Sequence, residues 1–348
     1  MAFTTIDNPE LYFQCKLYSG TGSAQSITLD GSENLSPNFI WQKSRSHSQD
    51  ARIFDSVRGG SKILYSSLSN AEATDTQLIT SFDSDGFTMG TSGSNANDSG
   101  TTYVAWNWKA GTTSGLSGGD ITPSAYSINT TAKFGIYAYT GNGGSSQTIT
   151  HGLGATPTCV IFKERGGAEQ WRVQHMSAPN PFSKMLLLNA SDAEASQTNG
   201  LSAVSSTTIT FGSDGAYNLN NDTYVCYIFC DVAGYAKMGK YIGNGNADGT
   251  FVYTGFRPAW VMCKVASGTT NDWTILDNKR DPFNVSNSRL YANTSGAESD
   301  ADRADFTANG FKHRGDGNDM NGSGHTYVYM AFAESPFVNS KGVPNNAR

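Results

Sequence analysis

The chain has 348 residues, of which 37% are hydrophobic, 11% aromatic and only 16% charged, with a formal net charge of −6 and a pI of about 5.3. That balance offers no basic stripe to release counterions from a nucleic-acid backbone, so nucleic-acid binding is not expected. Aromatics are too frequent and the net charge too small for a disordered chain. The 38 glycines, set among Ser, Thr and Asn, fit tight turns between short β-branched and aromatic runs, which points to an all-β fold.

The N-terminal Met1-Ala2-Phe3-Thr4-Thr5-Ile6-Asp7 has neither the basic start nor the apolar centre of an export signal, and a soluble chain is expected. Glu10-Leu11-Tyr12-Phe13-Gln14 resembles a protease-tag remnant but lacks its usual Asn. It runs directly into patterned sequence and reads as native. The longest apolar runs, Met185 to Leu188 and Tyr224 to Cys230, are far short of the ~20 residues of a membrane helix.

Three stretches then repeat in order. Each opens on a Tyr-x-Gly-x-Gly run: Tyr18 to Gly22, Tyr139 to Gly143 and Tyr241 to Gly245. A strand led by a proline follows and ends on a lysine: Pro37 to Lys43, Pro157 to Lys163 and Pro258 to Lys264. Next come Arg52 to Asp55, Trp171 to Gln174 and Trp273 to Asp277, and then a Leu with a Glu eight residues on: Leu64 and Glu72, Leu186 and Glu194, Leu290 and Glu298. Each stretch closes on a strand-length apolar run: Thr102 to Trp108, Thr223 to Phe229 and Thr326 to Phe332. From opening to closing tyrosine the distances are 85, 85 and 86 residues. The closing runs are apolar at consecutive positions, which places them centrally, covered on both faces.

Turn signals every 8 to 12 residues are the pattern of a sandwich or barrel. The expected architecture is three tandem repeats of an antiparallel β-sandwich or jelly-roll-like module, each large enough to bury its own core. The expected divisions are a first β repeat with an N-terminal arm over 1–111, a Gly/Ser/Thr-rich linker over 112–133, a second repeat over 134–234 and a third with a C-terminal tail over 235–348. The short, apolar junction from Asp231 to Lys240 predicts that the second and third repeats pack together.

Several constellations resemble chemical sites, and each has a plainer reading. Gly115-Leu116-Ser117-Gly118-Gly119 has the spacing of a hydrolase nucleophile elbow, but lacks the strand and helix that make that turn work. The histidines (His47, His151, His175, His313 and His325) form no close ligand pair of the kind a metal site needs. Asp316 to Gly322 resembles an oxygen-rich calcium loop, yet Met320 occupies a ligand slot and no closing Glu follows. Asp83-Ser84-Asp85-Gly86 reads as a turn. The recurring Lys43, Lys163 and Lys264 with Glu72, Glu194 and Glu298 suggest a shared structural role, an ion pair or a loop anchor, rather than three active sites. Trp41, Trp106, Trp108, Trp171, Trp260 and Trp273 lie mostly in strand runs and read as core rather than as sugar-stacking platforms. The five cysteines (Cys15, Cys159, Cys226, Cys230 and Cys263) read as buried reduced thiols; Cys226 and Cys230 on one strand would stand about 13 Å apart, too far to bridge. No catalytic residue, cofactor or metal is expected.

Several runs resemble a repeat module of structural proteins from marine tailed bacteriophages, including those of cyanobacteria. They are Tyr139 to Gly143, His151 to Gly154, Tyr253 to Pro258, Lys279 to Pro282, Ala331 to Phe337 and Gly342 to Pro344. The likeness covers the chain from about residue 10 to the end. The second stretch departs from it, with Ser206-Thr207-Thr208-Ile209 where the others have Gly86-Phe87 and Gly310-Phe311, and the first lacks the acidic Pro-Phe ending. The resemblance implies a non-enzymatic virion component assembled in the host cytoplasm: a tail fibre, a tail-associated appendage or a head decoration, making its contacts through loops such as 316–322. Its implied partners are other virion proteins and further copies of itself, with a trimer expected. A module for a host receptor or surface carbohydrate is the alternative, and a polysaccharide-degrading enzyme a third reading.

Overall fold

The computed structural model describes residues 4–91 and 96–347, apart from the Asp302 side chain. Met1 to Phe3 and Arg348, which bound the expected arm and tail, lie outside the described residues, as do residues 92–95. The described chain is all-β and antiparallel, in three sandwich units of one strand plan.

In the first unit a six-stranded sheet has the order β1-β9-β3-β4-β5-β6. Its members are β1 (Phe13–Ser19), β3 (Phe39–Ser44), β4 (Arg52–Asp55), β5 (Lys62–Tyr65), β6 (Ala73–Thr74) and the closing strand β9 (Thr102–Trp108). A three-stranded sheet of β2 (Gln25–Thr28), β8 (Gly86–Met89) and β7 (Ile79–Asp83) covers one face of it.

In the second unit the same order is built from β11 (Phe134–Thr140), β19 (Thr223–Phe229), β13 (Cys159–Glu164), β14 (Arg172–His175), β15 (Lys184–Leu187) and β16 (Ala195–Ser196). Its cover is β12 (Gln147–Thr150), β18 (Thr208–Phe211) and β17 (Leu201–Val204), beside one short helix, α1 (Gly215–Asn218). An added outer strand, β10 (Ala125–Asn129), pairs with β11.

In the third unit the order is β20 (Ala236–Ile242), β27 (Thr326–Pro336), β22 (Phe256–Ser267), β23 (Thr274–Asp277) and β24 (Ser286–Tyr291). The long β25 (Ser299–Thr307) then bends from the large sheet into the cover, where β26 (Gly310–His313) and β21 (Phe251–Tyr253) complete it.

The closing strands are covered on both faces, as their unbroken apolar runs require. Along β19, Val225, Tyr227 and Phe229 face one core while Tyr224, Cys226 and Ile228 face another. The same alternation runs through β27, with Val328, Met330 and Phe332 on one side and Tyr327, Tyr329 and Ala331 on the other. One of the two cores belongs to each unit alone. The other is common to all three and holds every tryptophan in the chain. The units are therefore not beads on a string: the inner faces of three large sheets meet in one buried centre.

The opening motif is explained by the closing one. Tyr18 stacks on Tyr103, Tyr139 on Tyr224 and Tyr241 on Tyr327, with ring centroids 5.1, 5.1 and 5.0 Å apart. The glycine two residues on lies against backbone: a Cβ on Gly20, Gly141 or Gly243 would meet a carbonyl oxygen at 2.2 to 2.3 Å. A buried asparagine fixes each opening loop. Asn97, Asn218 and Asn321 accept from the N–H of Thr21, Asn142 and Asn244, and each donates its amide back to loop carbonyls. Asn218→Ala leaves loop groups without partners and is expected to cost ~1–3 kcal/mol. A shift of less than half that in the urea midpoint would rule out the clamp.

Residues 112–133, expected as a linker, form a strap on the second unit. Besides β10, the strap bridges Gly119 to Ile149, and Ile121 and Ile128 are buried in that unit's core. Residues 9–14 are equally part of the fold, with Phe13 buried and stacked on Phe332 at 5.3 Å.

Candidate functional site

The charged residues that recur in the sequence converge where units meet. Between the first and second units, the Arg165 guanidinium donates to both carboxylate oxygens of Glu72, at 2.9 and 2.8 Å. Arg58 joins Glu72 at 3.0 Å and Asp55 at 2.6 Å, and the Tyr227 hydroxyl donates to Asp55 at 2.7 Å. The Glu72 N–H donates to the Arg165 carbonyl at 2.8 Å, so backbone and side chains close the seam together.

The seam between the third and first units repeats this pattern. Arg45 holds Glu298 at 2.9 and 2.7 Å, Arg280 joins Glu298 at 3.2 Å and Asp277 at 2.6 Å, and the Trp106 indole donates to Asp277 at 2.9 Å. The Glu298 N–H donates to the Arg45 carbonyl at 2.8 Å.

The third seam, between the second and third units, has the same backbone and different chemistry. The Glu194 N–H donates to the Ala266 carbonyl at 3.0 Å, but alanine now stands where the other seams have arginine. Asn180 satisfies the Glu194 carboxylate instead. His175 occupies the place of Asp55 and Asp277, Ala178 that of Arg58 and Arg280, and Met330 that of Tyr227 and Trp106. The imidazole donates from Nε2 to the Tyr329 carbonyl at 3.0 Å and accepts at Nδ1 from the Ser177 N–H. The Cys159 thiol stands 3.9 Å from the Met330 sulfur. This seam thus lacks the buried aspartate, both arginines and the aromatic donor together, and keeps only the glutamate. That is the consistent alternative, since removing one member alone would strand a buried charge.

Electrostatics follow from burial. Burial works to raise the Glu72 pKa, but the hydrogen bond from Arg165 and the Arg58 charge outweigh it and hold it below the usual value. Burial works to lower that of Arg58, and the Asp55 carboxylate overturns this, raising it. The three repeated lysines do not pair with the repeated glutamates. Each is fully buried and anchors loops through carbonyls: Lys43 to Thr294 at 2.6 Å, Lys163 to Gly167 at 3.2 Å and Lys264 to Ser191 at 2.9 Å. Burial pushes their pKa values down to about 8, 8 and 7. Of the two roles expected for the Lys and Glu sets, the lysines take the loop anchor, and two of the three glutamates take an ion pair, with arginine.

A family described as a domain of unknown function, DUF7483, matches residues 8–336. The chain belongs to this family. The match begins just before the first strand and ends on Pro336, the last residue of β27. The match therefore spans all three sheet units of this chain rather than one of them. No curated protein matches the chain.

The other residues marked in the sequence disperse. His151 is buried, with Nε2 on the Ser205 carbonyl, and His313 lies 4.7 Å from the Tyr241 ring, its pKa pushed down by burial to about 3. Among the described residues no three of His, Cys, Asp and Glu gather at a metal-sized site. Asp319, in the calcium-like loop, is held by Arg289 at 3.1 Å and Arg303 at 2.8 Å. Met320 points into the core and Asn321 clamps the opening loop, so 316–322 is largely buried and only Asp316 and Asn318 are exposed. Ser117 is exposed on the strap, and all five cysteines are free and buried. Of the seam arginines and clamp asparagines, only Arg280 and Asn321 fall inside runs marked in the sequence, and neither in this role. The asparagines had a signal, each standing six residues before a closing tyrosine. The arginines had half of one, two residues after the repeated lysine in two copies of three.

His175 gives the third seam an acid sensitivity. Burial lowers its pKa to about 4, against an ordinary value of 6.5. Between those values the unfolded chain binds the proton and the native chain does not, so stability falls as pH drops through that window. His175→Asn is expected to remove about 2 kcal/mol of the stability difference between pH 7 and pH 5, read from urea midpoints. An unchanged difference would refute the assignment.

Proposed function

We propose that the chain is a non-enzymatic bacteriophage virion protein, a tail-associated appendage or head decoration, built from three tandem repeats closed into a ring. The observation that carries this reading is the closure itself. The seams run from first to second, second to third and third back to first unit, around one core that contains all six tryptophans. A closed ring has no weak end from which to unravel, and its rigid sheets present outer loops for contact. The likeness of Tyr139 to Gly143, Lys279 to Pro282 and Ala331 to Phe337 to marine phage structural modules supports the particle assignment. The partners are then other virion proteins and further copies of the chain.

The alternative, a receptor- or carbohydrate-binding module, draws less support, because the tryptophans that would stack on sugar rings are all buried. The test is mass spectrometry and antibody-gold electron microscopy of purified particles from a host that produces the protein. Stoichiometric recovery with particles is expected. A protein found only in the soluble lysate would overturn the reading.

A further inference from the structure

We propose that the third unit carries a binding site for a neutral oligosaccharide, with one pyranose ring stacked on Tyr253, its hydroxyls held by Asp231 and Lys237, and the next sugar lying on Phe251.

The three cover sheets agree on their inner faces and differ on their outer ones. In each, the edge strand buries one residue, Ile27, Ile149 or Val252, opposite Phe87, Ile209 or Phe311. The residues on either side of it point outward, because side chains alternate along a strand. In the first unit these are Ser26 and Thr28, and in the second Thr148 and Thr150. In the third they are Phe251 and Tyr253, 45% and 60% exposed. Where two units set small hydroxyls, one unit thus sets two large rings in solvent. The core does not ask for them, since Val252 supplies that strand's inward contact.

The surroundings leave the rings accessible and add polar groups beside them. Opposite Tyr253 the neighbouring strand presents Gly310, which has no side chain to cover the ring. The phenol leans toward Gly255, where a Cβ would stand 3.6 Å from its hydroxyl. It borders a groove of about 410 Å³ that Asp231 and Lys237 also line. The turn that closes the edge of β20, in which Val232 and Ala236 exchange N–H and carbonyl, sets this carboxylate in place. Asp231 Oδ1 accepts from the Met238 N–H at 2.9 Å, and Oδ2 from the Lys237 ammonium at 2.5 Å. Both side chains stay partly exposed, so the carboxylate has lone pairs and the ammonium has protons left for a ligand.

The ligand class follows from this chemistry. A pyranose has an apolar C–H face and a rim of hydroxyls. An aromatic ring takes the first, and a fixed carboxylate and ammonium take the second. Charge selects a neutral sugar: Asp231 and Lys237 cancel, and nearby Lys312 and Arg314 are paired with Asp248 and Asp305. Size argues against a protein partner. Two rings bury ~300–500 Å² when fully covered, short of the ~800 Å² per partner of a stable protein interface. The two Cα atoms stand about 7 Å apart along the strand, giving one ring to each of two consecutive sugars. The inference does not rest on the particle assignment, and it leaves the buried tryptophans as core.

The test titrates the full chain with cellohexaose, maltohexaose and mannohexaose, followed by isothermal calorimetry and saturation-transfer NMR. At least one is expected to bind saturably, with a Kd at or below about 1 mM. Tyr253→Thr, the residue type that the other two units have there, is expected to weaken binding at least about tenfold, and Phe251→Ser about threefold. Both changes are at exposed side chains, and the urea midpoint is expected not to move. Tyr253→Phe, which keeps the ring, is expected to stay within about threefold of the parent. Four results would overturn the proposal: no binding of any of the three sugars in the millimolar range; binding that Tyr253→Thr leaves unchanged; a sulfated or uronic hexasaccharide bound more tightly than every neutral one; or a sedimenting dimer that Tyr253→Thr dissolves, which would make the occupant a second copy.

Discussion

Arg58→Ala lowers the unfolding free energy by ~3–5 kcal/mol, because it leaves the Asp55 and Glu72 carboxylates without their shared cation. The Arg58 and Asp55 side chains are both fully shielded from solvent, so water cannot take the place of the guanidinium. The same change at Arg280 has the same expected size, since Asp277 and Glu298 stand around it in the same way. The seam with His175 shows how the network is dispensed with. Carrying its residues over as Asp55→His, Arg58→Ala and Tyr227→Met together is expected to recover most of the loss, as apolar replacements of whole buried ion networks do. Guanidinium titrations of the single and triple variants decide this. A cost below about 1 kcal/mol for Arg58→Ala would mean that the seam is held by its backbone and apolar contacts alone.

Trp260→Ala is the second large change, at ~3–5 kcal/mol. Trp260 belongs to the third unit, but its ring lies 6.2 Å from Trp106, 5.6 Å from Trp108 and 6.5 Å from Trp41, all of the first. The cavity would open in the common core, between units. The loss is therefore expected to appear in one cooperative transition of the whole ring, followed together by tryptophan fluorescence and far-ultraviolet circular dichroism. Phe182→Ala, at an exposed position, should change stability by less than about 0.5 kcal/mol. If the two probes separate in Trp260→Ala, with one unit melting early, the common core does not couple the units.

Position by position, the sequence was most legible where one unit repeats its own needs. The Tyr-x-Gly-x-Gly openings and the closing runs recur because the tyrosines stack within a unit and the glycine must pass a carbonyl of that unit. The lysines recur because a buried ammonium needs carbonyl partners, which come from neighbouring residues and, for Lys43 and Lys264, also from the next unit. Along the chain, Gly115, Gly118 and Gly119 read as a flexible connection. They are instead the positive-φ corners that let it cross from one sheet to the other. In the loop 316–322, whose sequence resembles a calcium loop, Asp319 and Asn321 are turned inward to partners 30 and 77 positions away.

The sequence by itself determined the strand content, the two-faced burial of β9, β19 and β27, and the stations at which Lys, Glu and Tyr return. Strand content and two-faced burial depend on alternation along a strand and the tyrosines on contacts within one unit, while Lys and Glu return because each seam asks for the same partners; all leave a mark at fixed spacing. Only the tertiary structure decided that the units close on one another. Arg45 meets Glu298 at a separation of 253 residues and Arg165 meets Glu72 at 93. No local pattern encodes such a pairing, because which unit a side chain faces depends on how three sheets turn about their common core. The same is true of the third seam: His175, Ala178, Ala266 and Met330 look unrelated along the chain, and become one set of replacements only when β14, β22 and β27 are brought together.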